Sequence, residues 1–256
     1  MFKMVATVLA LTLGTAVQAT DLSAMSDAER EAFRAEVRAY LLENPEVIFE
    51  AVDILRAREE AAAAAEAEQR EELDAQLVVD NAEVLQNDGF SYVGGNPDGD
   101  ITIVEFLDYR CGYCRKAHSE LANLLEKDGN IRWVVKEYPI LGQESVNSSR
   151  VAVATLQTHG PEAYLAMHNL LMNYSGPITE ESVRYLADEI DADADKIIAA
   201  YDTPEVQQHI VQVQELGRTM RVSGTPTFVI GDMLVRGYLP PDNFAAAVAH
   251  AREQAM

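Results

Sequence analysis

Cys111 and Cys114 are the two cysteines of the 256-residue chain, and they stand three positions apart in Cys111-Gly112-Tyr113-Cys114. A C-x-x-C pair directly after a strand and at the start of a helix is an arrangement for thiol chemistry. At the helix N-terminus, free N–H groups and the dipole stabilise a thiolate on Cys111. Cys114, one helical turn on, lies on the same face within bonding reach. The Cys111 thiolate then attacks a disulfide, and Cys114 resolves the mixed disulfide that results. Arg115 and Lys116 add positive charge that lowers the same pKa.

Other chemistries use the same residue types. A structural disulfide closing so short a loop adds little stability by loop-closure entropy. A closed zinc site built on Cys111, Cys114 and His118 lacks a local fourth ligand. His118 is instead expected on the helix surface. Covalent haem attachment requires a histidine where Arg115 stands. Copper(I) held by the two thiolates stays chemically open. The reading taken forward has no metal and no cofactor beyond the cysteine pair.

A second motif, Ser223-Gly224-Thr225-Pro226-Thr227-Phe228, places a proline at a strand start after a glycine turn. That is a position for a cis peptide bond between Thr225 and Pro226, which leaves the Thr225 backbone free to pair with an extended substrate.

The elements that must position these motifs are legible as patterns. Ile101–Leu107 is a buried-type strand with one acid, Glu105, inside it, and the helix opened by Cys111 has Ala117, Leu121, Leu124 and Leu125 on its apolar face. Ile131–Glu137 is the next strand, completing a β-α-β unit with parallel strands and a right-handed crossover. A helical block follows from Ser145 to Tyr201, broken at Gly160-Pro161, Ser175-Gly176-Pro177 and Asp191–Asp195. A helix over 204–221, a hairpin of Pro226–Ile230 with Met233–Arg236, and a helix from Asp242 to Arg252 complete an α/β thioredoxin-like layout. Its helical insertion spans about residues 142–203.

Upstream the texture is different. Lys3, an apolar stretch from Met4 to Val17 and Val17-Gln18-Ala19 read as a cleaved signal peptide over residues 1–19. At 1.5 Å per residue that stretch reaches about 21 Å, short of the roughly 30 Å of a bilayer core, so no membrane span is expected after cleavage. Export places the cysteines in an oxidising compartment, the periplasm. Residues 20–89 form an acidic helical segment ahead of a catalytic domain over 90–256. Ser26-Asp27-Ala28-Glu29 is a capping box, and Asn44-Pro45 starts a second helix running to about Val79. Between Asp21 and Asp88 stand 19 acidic and 6 basic residues, a large share of the net charge of −22. This charge disfavours nucleic acid and anionic lipid as partners.

The run Val104 to Cys114, together with Gly224-Thr225-Pro226, resembles the DsbA branch of thioredoxin-fold oxidoreductases over residues 89–256. Tyr40-Leu41-Leu42-Glu43-Asn44-Pro45-Glu46 is similar to the N-terminal segment of ScsC-like and Com1-like members. The resemblance implies that Cys111 attacks, Cys114 resolves, and Thr225 and Pro226 form a substrate-binding cis-proline loop. It further implies that Glu105 handles the proton of the resolving thiol, with Lys136 as its partner. In ScsC-like relatives the N-terminal segment can drive self-association linked to disulfide isomerase activity. The expected protein exchanges disulfides with cysteine-containing exported proteins, is reset by an unidentified redox partner, and forms a homo-oligomer through residues 20–89. Isomerase or reductase is favoured over a DsbA-like dithiol oxidase, because a projecting association segment places several active sites around one substrate. Gly112-Tyr113 stands where DsbA has Pro-His, so the resemblance does not imply strongly oxidising behaviour. A copper(I)-binding metal-tolerance protein is the alternative of a different class.

Overall fold

The computed structural model describes residues 25–255, so the leader expected over residues 1–19 lies outside them. The chain divides into two compact units, Met1–Ala64 and Ala65–Met256.

In the first unit, α1 (Asp27–Glu43) begins at the expected capping box. The Ser26 hydroxyl accepts from the Glu29 N–H, and the Glu29 carboxylate accepts from the Ser26 N–H. Asn44 caps its end and Pro45 precedes α2 (Glu46–Asp80), as the Asn-Pro pair dictates. None of α1 is buried, although Phe33, Val37, Tyr40 and Leu42 lie along it. Ile48, Phe49, Val52 and Leu55 of α2 are likewise exposed.

The second unit starts within α2, well before residue 90. Its α3 (Ala82–Gln86) follows, and Val78 and Leu85 are buried in the same core as the sheet. The sheet has the order β1-β3-β2-β4-β5, from β1 (Tyr92–Gly95), β2 (Ile101–Leu107), β3 (Ile131–Glu137), β4 (Thr227–Ile230) and β5 (Met233–Arg236). β2 and β3 run parallel across the crossover helix α4 (Gly112–Asp128), and the other pairings are antiparallel.

Strand periodicity assigns each side chain to a face. Ile103, Leu107, Trp133 and Val135 join one core, whereas Val104, Phe106, Val134 and Val229 join the other with Val78 and Leu85. The helical insertion comprises α5 (Gln143–Asn173), α6 (Glu180–Asp188) and α7 (Ala194–Ala200). The break expected at Gly160-Pro161 is a kink inside α5, where Gly160 takes φ 82°. A β-carbon there would be strained, which is why glycine stands ahead of the proline. Helices α8 (Pro204–Thr219) and α9 (Pro241–Ala255) complete the fold.

Candidate functional site

Cys111 is the N-cap of α4, and its N–H donates to the Asp108 carbonyl. Asp108 fixes this loop from inside. One of its carboxylate oxygens accepts from the Arg110 N–H and the other from the N–H groups of Ile140 and Leu141. The Thr225–Pro226 peptide is cis, and the Cys111 Sγ lies 3.1 Å from the Thr225 carbonyl. The two sequence motifs, more than a hundred residues apart, meet at one sulfur.

The cysteines are both thiols here, and their environments drive them apart. The Cys114 side chain hydrogen-bonds to Cys111, and with Thr225 and the backbone N–H groups of Cys114 and Tyr113 it brings the Cys111 pKa down to about 5 against partial burial. Burial, helped by the same contact with Cys111 and by the negative charge of Glu105, pushes Cys114 far up. One thiol is therefore a ready thiolate and the other a reluctant one. Arg115 and Lys116, expected to help, are turned elsewhere. The Arg115 guanidinium donates to the carbonyls of Tyr109 and Tyr174, and the Lys116 ammonium stands 4.1 Å above the Tyr238 ring.

Glu105 is fully buried beneath the pair. Its Oε2 accepts from Trp133 Nε1 at 3.1 Å, while Oε1 has no hydrogen-bond partner. Burial raises its pKa to about 8, with the Trp133 bond opposing and the charge of Glu137 assisting. The expected partnership with Lys136 is not made. Lys136 pairs with Phe106 in the register and points to the opposite face of the sheet, so its ammonium meets Asp88 at 2.5 Å. Strand parity separates the two: an odd-numbered and an even-numbered residue on these in-register strands cannot share a face.

Glu137 occupies the face that Lys136 leaves. Its carboxylate accepts from the hydroxyls of Tyr109 (2.7 Å), Tyr164 (2.6 Å) and Ser149 (2.7 Å). His118 is half-buried rather than on the surface, because its ring packs against buried His168 on α5. Sequence reasoning missed Asp108, Trp133, Glu137 and His168. The acids were detectable by the argument that singled out Glu105, an ionisable side chain in an apolar run, whereas the histidine gave no such signal.

A family model described as the DSBA-like thioredoxin domain matches residues 102–249, more than half of the chain. The chain belongs to this family. A second model, the copper resistance protein ScsC N-terminal domain, matches residues 29–62, the part that forms the first compact unit. Among solved structures, a thioredoxin-like oxidoreductase from Silicibacter pomeroyi is 40% identical, with TM-score 0.62, covering 67% of this chain and 97% of that one. ScsC of Proteus mirabilis in a transitional conformation is 25% identical, with TM-score 0.64, covering 91% of this chain and all of that one. A curated relative, the Na+/H+ antiporter NhaA 1 of Salinispora arenicola, is 27% identical over 161 residues, and the matched part is 24% of that protein's length. Among the described residues, no helix is long and apolar enough to cross a membrane.

Proposed function

We propose that this chain is an exported thiol–disulfide oxidoreductase that exchanges disulfides with cysteine-containing proteins, as an isomerase or reductase rather than a pure oxidase. The observation that carries the reading is a thiol at a helix N-cap, held low in pKa and set against the Thr225 carbonyl next to a cis proline. The Cys111 thiolate attacks one sulfur of a substrate disulfide; that S–S bond breaks, a mixed disulfide forms, and one substrate thiolate leaves. Thr225 and Pro226 hold the substrate backbone alongside. Cys114 then loses its proton to the ionised form of Glu105, whose Oε1 has no other hydrogen-bond partner, and attacks Cys111 to release the second substrate thiolate. The products are a Cys111–Cys114 disulfide and two reduced substrate sulfurs, so an electron donor must reset the pair.

A reduced, low-pKa Cys111 that attacks and then lets go is also what isomerisation requires. The exposed apolar residues of the first unit, and its similarity to an ScsC N-terminal domain, support self-association that gathers several sites around one substrate. A Salmonella enterica relative described as a periplasmic thioredoxin-like protein, 29% identical with TM-score 0.59 over 67% of this chain and 95% of that one, supports a periplasmic location. Two thiolates suit a soft ion such as copper(I), and the description of the ScsC family keeps that ion as a competing ligand. Among the described residues, no three His, Cys, Asp or Glu side chains are grouped to hold a metal. The test is single-turnover mixing of the reduced chain with a peptide disulfide. Release of both peptide thiols, with Cys111→Ser releasing none, supports exchange; a wild-type chain that releases none overturns it.

A further inference from the structure

In the exchange reaction an extended substrate covers Cys111 and Thr225 at the front of the site while buried Cys114 gives up its proton. A hydrogen-bonded line leads out at the back. Glu137 Oε1 accepts from the Tyr109 hydroxyl, which lies 3.0 Å from His168 Nδ1. His168 Nε2 lies 3.3 Å from His118 Nδ1. His118 in turn lines a cavity of about 390 Å³ with Asn169, Trp133, Leu121 and Leu165.

One assignment of tautomers satisfies every link. With both imidazoles carrying hydrogen on Nδ1, His118 donates to His168, His168 to Tyr109, and Tyr109 to Glu137. The opposite set of hydrogens runs the line the other way. A proton entering at one end therefore leaves at the other, while each intermediate residue keeps its own count.

Resting on the exchange reaction above, we propose that His118, His168 and Tyr109 form a proton line through which buried Glu137 releases a proton to the cavity as Cys114 gives one to Glu105. The step balances. The Cys114 S–H bond breaks and Glu105 gains the proton; Glu137 loses one to Tyr109, and His118 passes one to water. The negative charge left on Cys114 departs with the second substrate thiolate, so across the whole resolving step the buried charge is unchanged, which matters where an added charge is costly.

The groups facing Glu137 fit this role. They are Tyr109 from the active-site loop, Ser149 and Tyr164 from α5, and the charges of Asp108 and Glu105 from β2 and its end. None is a cation. Burial raises Glu137 to about 7 against its three hydroxyl donors, close to Glu105 at about 8, and each carboxylate disfavours ionisation of the other. The two acids consequently hold about one shared proton near neutral pH, and the step runs from the form in which that proton sits on Glu137 and Glu105 is ionised. Burial lowers both histidines, so they relay rather than store.

The residues of the line are positioning residues, and their effect is read on the resolving step alone. Reduced full-length chain is mixed with a peptide disulfide, and release of the first and second peptide thiols is followed separately across neutral pH. His118→Ala slows the second release by roughly tenfold, below a full general acid–base contribution. Added imidazole, which enters the vacated cavity wall, restores it. Tyr109→Phe slows the same release and is not restored, because the break lies beyond the reach of imidazole. A second release in His118→Ala that is unslowed, or slowed and indifferent to imidazole, overturns the proposal. A wild-type chain with no Cys111-dependent first release overturns the exchange reading instead.

Discussion

Cys111 and Cys114 carry the same side chain, and the protein moves their pKa values in opposite directions. Contact with the Cys114 side chain leads the stabilisation of the Cys111 thiolate, and burial leads the destabilisation at Cys114. Alkylation of Cys111 by iodoacetamide is predicted to be half-maximal at about pH 5 and flat through neutrality. An unperturbed thiol titrates at about 8.5, and a midpoint there contradicts a stabilised Cys111 thiolate. The same shift sets a stability trend. Between the folded value of about 5 and the unfolded value of about 8.5, the unfolded state binds more protons, so the reduced form gains stability as pH rises through that window and loses it as pH falls. The difference in thermal stability between the reduced chain and Cys111→Ser is expected to widen as pH rises over this range, since buried Glu105 and Glu137, whose pKa values are raised, pull both proteins equally the other way. Lys136 belongs to a different problem. Paired with Asp88 and fully buried, it holds the sheet to the segment before β1. Lys136→Met leaves a buried carboxylate uncompensated and is predicted to cost about 3–5 kcal/mol. A denaturant titration measures that loss, and the Cys111 alkylation profile is expected to stay where it is.

At the scale of elements, the catalytic unit extends further toward the N-terminus than the motifs suggest. Arg236 on β5 forms a two-pronged ion pair with Asp74 of α2, Val78 and Leu85 are buried, and Asp88 pairs with Lys136. Deleting residues through 64 is therefore predicted to leave a folded unit with intact Cys111 chemistry. Deleting through 89 removes two buried aliphatic side chains and orphans Lys136, for a loss of at least about 5 kcal/mol. That corresponds to a melting temperature lower by roughly 10–20 °C, and equal melts for the two truncations contradict it. Local signals made much of this fold legible. The capping box, the Asn44-Pro45 helix start, the C-x-x-C at a helix N-terminus and the proline after Gly224-Thr225 each act within a few residues. What stayed hidden depends on register. Nothing in Ile131–Glu137 says which of Lys136 and Glu137 shares a face with Glu105, because that follows from pairing Leu107 with Glu137 in the sheet. The partner of His118 was hidden for the same reason, as His168 is brought to it by the fold of α5.

For the whole molecule, the first compact unit gives the clearest reason to expect more than one copy. Phe49 and Leu42 are 70% and 68% exposed, and Phe33, Val37, Leu41 and Ile48 line an open groove. Replacing Phe49 and Leu42 together by Asp is predicted to shift the sedimenting species to the monomer mass without altering single-turnover release of peptide thiols. Isomerisation, which benefits from several sites near one substrate, is expected to fall with it. A variant that keeps both its mass and its isomerase rate separates the apolar surface from assembly. Disulfide exchange with proteins through Cys111 is read from reactivation of a scrambled-disulfide protein by residues 20–256 in a glutathione buffer. Reactivation well above buffer alone, lost in Cys111→Ser, is expected. A wild-type chain that reactivates no faster than buffer, and leaves the scrambled disulfides unreduced, contradicts it.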